Sequence, residues 1–206
     1  MTAIIDYRAG NLTSVRNAFA SIGAEATVTS DPAVIAAASR VVFPGVGAAK
    51  SAMRSLADLG LADAVRKAAA EKPFLGICLG MQILFTHTEE DGGVDTLGIL
   101  PGRVRRFPDV PGFKVPEMGW NQVEGSDPLG LLKPKEYFYF VHSYYVEMNP
   151  AVVGRTEYAG ITFASAVRRG NLFATQFHPE KSGRAGLALL REFLRTTSDA
   201  EGGRTC

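Results

Sequence analysis

Pro73-Phe74-Leu75-Gly76-Ile77-Cys78-Leu79-Gly80-Met81-Gln82 runs a short apolar strand into Gly-x-Cys-x-Gly and on into a helix-forming segment. So tight a strand-to-helix turn pushes the central side chain out of the sheet, the geometry of a nucleophile elbow with cysteine in the reactive place. Glycine on both sides lets the backbone turn where a Cβ would collide. The thiol then stands near a helix N-terminus, where the positive end of the dipole favours thiolate. Further along, Ala174-Thr175-Gln176-Phe177-His178-Pro179-Glu180 offers an imidazole and a carboxylate two residues apart.

The flanking sequence supplies the sheet that such an elbow needs. Ala3-Ile4-Ile5, Ala26-Thr27-Val28, Arg40-Val41-Val42-Phe43 and Phe74-Leu75-Gly76-Ile77 read as short apolar strands. Between them, Leu12, Val15, Phe19 and Ile22 recur at helical spacing up to a stop at Gly23, and Asp31-Pro32 opens a short helix as N-cap and first turn. An alanine-rich helix reaches about Ala70 with a break near Gly60, and Met81 to Phe85 is expected to begin the helix after the elbow. Strands separated by helices imply an α/β fold with a mostly parallel sheet covered on both faces. From about Gly92 the texture changes to Gly, Pro and short β-type runs: Arg103-Val104, Gln122-Val123, Tyr137 to Val141, Ile161 to Ala164 and Leu172 to Thr175. These predict an added small antiparallel or mixed sheet. Leu187 to Leu194 is a closing helix. Residues 1–195 read as a single domain and 196–206 as a polar, frayed tail.

Composition narrows the function classes. The chain has 206 residues, 46% of them hydrophobic, and a formal net charge of +1. That balance gives no electrostatic case for nucleic acid or an anionic membrane as the main partner. No apolar run approaches the roughly 20 residues of a membrane helix, and the first residues lack a secretory pattern. Two cysteines, Cys78 and Cys206, make no disulfide framework, which suits a reducing cytoplasm.

In open parallel sheets, sites lie beyond the carboxyl ends of the strands. Pro44 to Gly47, Gly76 to Gly80 and His178 to Lys181 are three loops at such ends. Gathered at one edge, they would let Cys78 attack a carbonyl as thiolate, His178 accept and return the proton, and Glu180 orient the imidazole. The Leu79 amide is the natural first donor for an oxyanion, and the Gly45 turn is a candidate for the second. Glycine at 45 and 47 permits close backbone approach, and Gln82, one turn past the cysteine, can hydrogen-bond a polar substrate. His142 is a competing base, set below His178 because no carboxylate follows it nearby. His87 reads as surface. Histidines and cysteines lack metal-ligand spacing, and phosphate-loop signatures are absent, so neither metal nor nucleotide cofactor is indicated.

Gly76-Ile77-Cys78-Leu79-Gly80-Met81-Gln82 and His178-Pro179-Glu180 resemble the class I glutamine amidotransferases. Asp6-Tyr7, Gly10-Asn11-Leu12, Pro44-Gly45-Val46-Gly47, Met118-Gly119-Trp120-Asn121, Tyr139 to Tyr144 and Gln176 to Ser182 are similar to the glutaminase subunits of imidazole glycerol phosphate synthase within that family. The resemblance implies glutamine hydrolysis by a Cys-His-Glu triad. The ammonia would pass to a (β/α)₈-barrel cyclase, the other half of a heterodimer, which makes imidazole glycerol phosphate and AICAR in histidine biosynthesis. It further implies that Gly47, Gln82, Ser143 and Tyr144 contact substrate, and that Met118, Trp120, Asn121, Tyr139 and Lys181 face the partner or its channel. Trp120 by itself reads equally as core. Two positions depart from the family pattern: Arg8 stands where glycine is usual and Glu117 where histidine is more often found. The next reading is another class I amidotransferase, such as the glutaminase of anthranilate or pyridoxal phosphate synthesis, against which Met118-Gly119-Trp120-Asn121 argues. A cysteine hydrolase acting on peptides or thioesters, and a non-enzymatic regulatory subunit, remain as other readings.

Overall fold

The computed structural model of the chain describes residues 1–8 and 10–197. The first half alternates β1 (Thr2–Ile5), α1 (Leu12–Ser21), β2 (Ala26–Thr29), α2 (Pro32–Ala37), β3 (Arg40–Gly45), α3 (Ala49–Asp58), α4 (Ala62–Glu71) and β4 (Phe74–Cys78). The strands pair in parallel in the order β2-β1-β3-β4. Val15, Ala18 and Phe19 are the buried side of α1, as their spacing requires. The Asp31 carboxylate accepts from the Ala33 amide and Pro32 begins α2. Gly60, at φ 64°, separates α3 from α4.

The second half comprises α5 (Leu79–Gln82), β5 (His87–Thr88), β6 (Val94–Asp95), β7 (Arg103–Arg106), β8 (Glu117–Gly125), β9 (Glu136–His142), β10 (Tyr144–Val146), β11 (Val152–Tyr158), β12 (Ile161–Arg169), β13 (Leu172–Thr175) and α6 (Gly183–Arg195). β13 pairs in parallel with β4, and β12 runs antiparallel to β13. The antiparallel strands expected of this half are therefore hydrogen-bonded onto the parallel sheet, which continues through β10, β7, β5 and β6. A branch leaves β12 through β11 to the β8–β9 hairpin.

One expectation is corrected. The helix after the elbow does not run from Met81 to Phe85; α5 is a single turn ending at Gln82. The carbonyls of Ile83, Leu84 and Phe85 accept instead from the amides of Leu97, Leu100 and Gly98. All three residues are fully buried, so tertiary pairing replaces the next helical turn.

Alternate strand residues feed two cores, one on each face of the sheet. Ile5, Phe43 and Phe74 join Leu56, Val65 and Met81 on one side. Ile4, Val42 and Leu75 join Phe19, Phe177, Leu190 and Phe193 on the other. Because β3, β4 and β13 are parallel neighbours, their carboxyl ends open at one edge of the sheet. Among the described residues no helix is long and apolar enough to cross a membrane. Of the frayed tail expected over 196–206, residues 198–206, including Cys206, lie outside the described residues.

Candidate active site

Cys78 is the last residue of β4 and has φ 55°, ψ −113°. A non-glycine residue held there costs on the order of 1–3 kcal/mol, a strain that clusters at functional sites. The cysteine itself thus makes the turn, and its flanking glycines act through packing. A Cβ on Gly80 would stand 1.9 Å from the Phe43 carbonyl oxygen, and one on Gly76 would stand 3.0 Å from the Ala174 Cβ. Without side chains at these two positions, β3, β13 and the turn can close around the thiol. Since α5 has four residues, the helix-dipole contribution expected from the sequence reduces to a few unpaired amides.

His178 follows β13 and reaches the same edge. Its Nδ1 lies 2.8 Å from Glu180 Oε1. That oxygen also accepts from Asn11 Nδ2 at 2.6 Å, so the carboxylate is held from the amino-terminal end of α1. The loop is fixed through its backbone: the His178 amide donates to the Tyr139 carbonyl at 2.9 Å, and Ser182 Oγ donates to the His178 carbonyl at 2.6 Å. His178 and Glu180 side chains are each 1% exposed. Nε2 has no hydrogen-bond partner among the described nitrogen and oxygen atoms. Burial disfavours the imidazolium. The charge on Cys78, the hydrogen bonds to Cys78 and Glu180, and the Glu180 charge outweigh that, and His178 is pushed up to about 10. Burial, and then the same Cys78 charge, push the Tyr7 phenol upward.

A cavity of about 310 Å³ opens over the pair. Gly47, Leu79, Gln82, Ser143 and Tyr144 line it together with Cys78 and His178. Gly45 does not; it closes β3 opposite Cys78, and its Cβ position is taken up by Tyr7 Oη at 2.4 Å and the Gly80 amide at 2.7 Å. Its successor Val46 lines the cavity in its stead.

Two carboxylates were not assigned from the sequence. Glu90 lines the cavity and accepts from the Ala49 amide at 2.6 Å. Burial raises its pKa, the Ala49 hydrogen bond opposes this, and Asp91 adds to the rise. Nothing in the run Glu89-Glu90-Asp91 distinguishes it. Glu117 stands 3.1 Å from His142 Nε2, with both side chains 3% exposed. The β8–β9 register pairs these residues directly. His142, on the cavity wall, thus does have a carboxylate, supplied across a hairpin and not by the residues that follow it. Both of its ring nitrogens face protein groups, since Nδ1 lies 2.7 Å from the Tyr144 carbonyl.

Met118, Trp120 and Tyr137 are 65%, 57% and 57% exposed. Trp120 and Tyr139 rings meet at 6.3 Å, and Lys181 Nζ lies 5.9 Å from the Tyr139 ring centre. Trp120 is therefore surface and not core. Asn121 is not part of this group: its side chain donates to Glu117 Oε1 at 2.8 Å and to the Glu157 carbonyl at 3.0 Å.

The family model for glutamine amidotransferase class I matches residues 3–197. A solved structure described as a crystal structure of glutamine amidotransferase superposes with a TM-score of 0.73 at 22% identity, covering 94% of this chain and 97% of its own. The chain belongs to the class I glutamine amidotransferase family. Two relatives, from Methylococcus capsulatus and Methanothermobacter thermautotrophicus, are each 53% identical over 94% of this chain and over 95% and 98% of their own lengths. Both are called imidazole glycerol phosphate synthase subunit HisH, and within the family the chain belongs with these subunits.

Proposed function

We propose that residues 1–195 form one amidotransferase domain that hydrolyses glutamine to glutamate and ammonia, with Cys78 as nucleophile. The observation that carries the reading is the cysteine at positive φ beside a buried His178–Glu180 pair, under a cavity of amino-acid size. The thiolate attacks the side-chain amide carbon, and the oxygen takes the negative charge. The Leu79 amide is the nearest backbone donor for that oxygen, with the Pro44–Gly47 turn as the other side of the hole. The imidazolium gives its Nε2 proton to the departing nitrogen, which leaves as ammonia. A water then loses a proton to the neutral imidazole and attacks the thioester, releasing glutamate and restoring the thiolate. Glu180 keeps Nδ1 protonated throughout. On the wall, Gln82, Ser143 and Tyr144 hold the polar ends of the substrate, and Glu90 offers an acceptor to its α-ammonium.

The ammonia goes to a separate (β/α)₈-barrel cyclase chain, which uses it to form imidazole glycerol phosphate and AICAR in histidine biosynthesis in the cytoplasm. Support comes from the HisH relatives and from the β8–β9 hairpin, which has His142 on the cavity wall and Trp120, Met118 and Tyr139 on an aromatic outer face. Ammonia release should be slow from the chain alone and strongly stimulated by the cyclase with its nucleotide ligand. Cys78→Ser should lower glutamine-dependent synthesis at least about 10³-fold while synthesis from added ammonium persists. Loss of both activities would make Cys78 a structural residue.

A further inference from the structure

A buried chain of hydrogen bonds ends on the nucleophile, and its direction can be read from one main-chain atom. The Tyr144 carbonyl receives Gln82 Nε2 at 2.7 Å and His142 Nδ1 at 2.7 Å. A carbonyl only accepts, so both nitrogens must bring hydrogens. This fixes the Gln82 amide with its nitrogen toward Tyr144. The same nitrogen donates to Gln176 Oε1 at 2.9 Å. With its oxygen so engaged, Gln176 has only its NH₂ to present to its remaining neighbour, Cys78 Sγ, at 3.7 Å. Gln176 is fully buried and Gln82 is 5% exposed, so water does not compete for these bonds. On the far side, Glu117 and His142 brace the same carbonyl, and Asn121 braces Glu117.

We propose that Gln176 is a positioning residue for the nucleophile: its amide, locked by Gln82 and the Tyr144 carbonyl, keeps an N–H donor on the Cys78 sulfur. A donor there favours the negatively charged sulfur and aims it, whereas an acceptor would oppose it. The hydrogen on His142 Nδ1 belongs to the same lock. The proposal rests on Cys78 being the nucleophile of the function given above.

The test is alkylation by iodoacetamide across pH, with the Cys78 and Cys206 peptides quantified separately by mass spectrometry. Gln176→Glu keeps the shape and replaces the donor with an acceptor. Its Cys78 rate at pH 7 should fall about tenfold and its profile should move to higher pH, with the Cys206 rate unchanged. A folded Gln176→Glu protein with the wild-type profile would overturn the proposal. If that variant does not fold, Gln82→Leu leaves Gln176 in place but frees its amide to rotate. A smaller displacement in the same direction supports the proposal, and an unmoved profile refutes it. Alkylation needs no glutamine, so a wild-type chain inert toward glutamine would count against the proposed function and not against this role of Gln176.

Discussion

Cys78, Arg8 and Asn11 all hold left-handed φ values without being glycine, at 55°, 67° and 69°. At Cys78 and Asn11 the side chain serves the site, and the strain is the cost of placing it. Arg8 is different: among the described residues its amide alone is engaged, donating to the Asp6 carboxylate at 2.8 Å, which glycine would do equally. Arg8→Gly should therefore raise the melting temperature, by an amount equivalent to about 1 kcal/mol. His178 carries a pH signature. Folded, it keeps its proton up to about 10; unfolded, only to 6.5. The stability this contributes is complete below pH 6.5 and disappears as pH climbs through about 10. Thermal melts between pH 6.5 and 10 should lose stability more steeply in wild type than in His178→Gln; parallel curves would show that the proton is not held.

Among the secondary-structure elements, glycines set the distances on which the site depends. In α6, a Cβ on Gly186 would stand 1.9 Å from the Pro179 carbonyl oxygen, so this helix lies directly against the His178–Glu180 loop. Gly186→Ala should cost roughly 3 kcal/mol or more by denaturant unfolding and should lower glutaminase activity by displacing the loop. Gly80→Ala should be as damaging at the elbow. These elements were also the most readable from sequence. Helical periodicity in α1, the Asp31-Pro32 start and the apolar runs of β1, β3 and β4 each match what formed, because local pattern and tertiary burial agree there. The single turn of α5 was unreadable, since its end is set by amides of residues 97–100 that no local rule connects to it. Glu117 and Glu90 escaped for the same reason: one is brought to His142 by hairpin register, the other to the cavity by a loop. The turn at Cys78 and the pairing of His178 with Glu180 were legible because each is set by residues within a few positions of one another.

Taken as a whole, the molecule has one face at odds with its solvent surroundings. Met118, Trp120 and Tyr137 expose large apolar surface on adjacent strands, in a chain whose other aromatic rings are mostly buried. Trp120→Ala should leave thermal stability within about 0.5 kcal/mol of wild type while weakening cyclase binding by at least about 2 kcal/mol, near thirtyfold. Calorimetric titration with the barrel subunit measures this, and unchanged affinity would move the docking face elsewhere. The bond from Asn11 to Glu180 has a consequence of another kind. It joins residues 169 positions apart at the carboxylate that lies against the imidazole. Glu180 therefore gains this second partner only once the start of the first helix and the loop after the last strand have both folded into place. A fragment lacking either segment lacks that hold on the carboxylate.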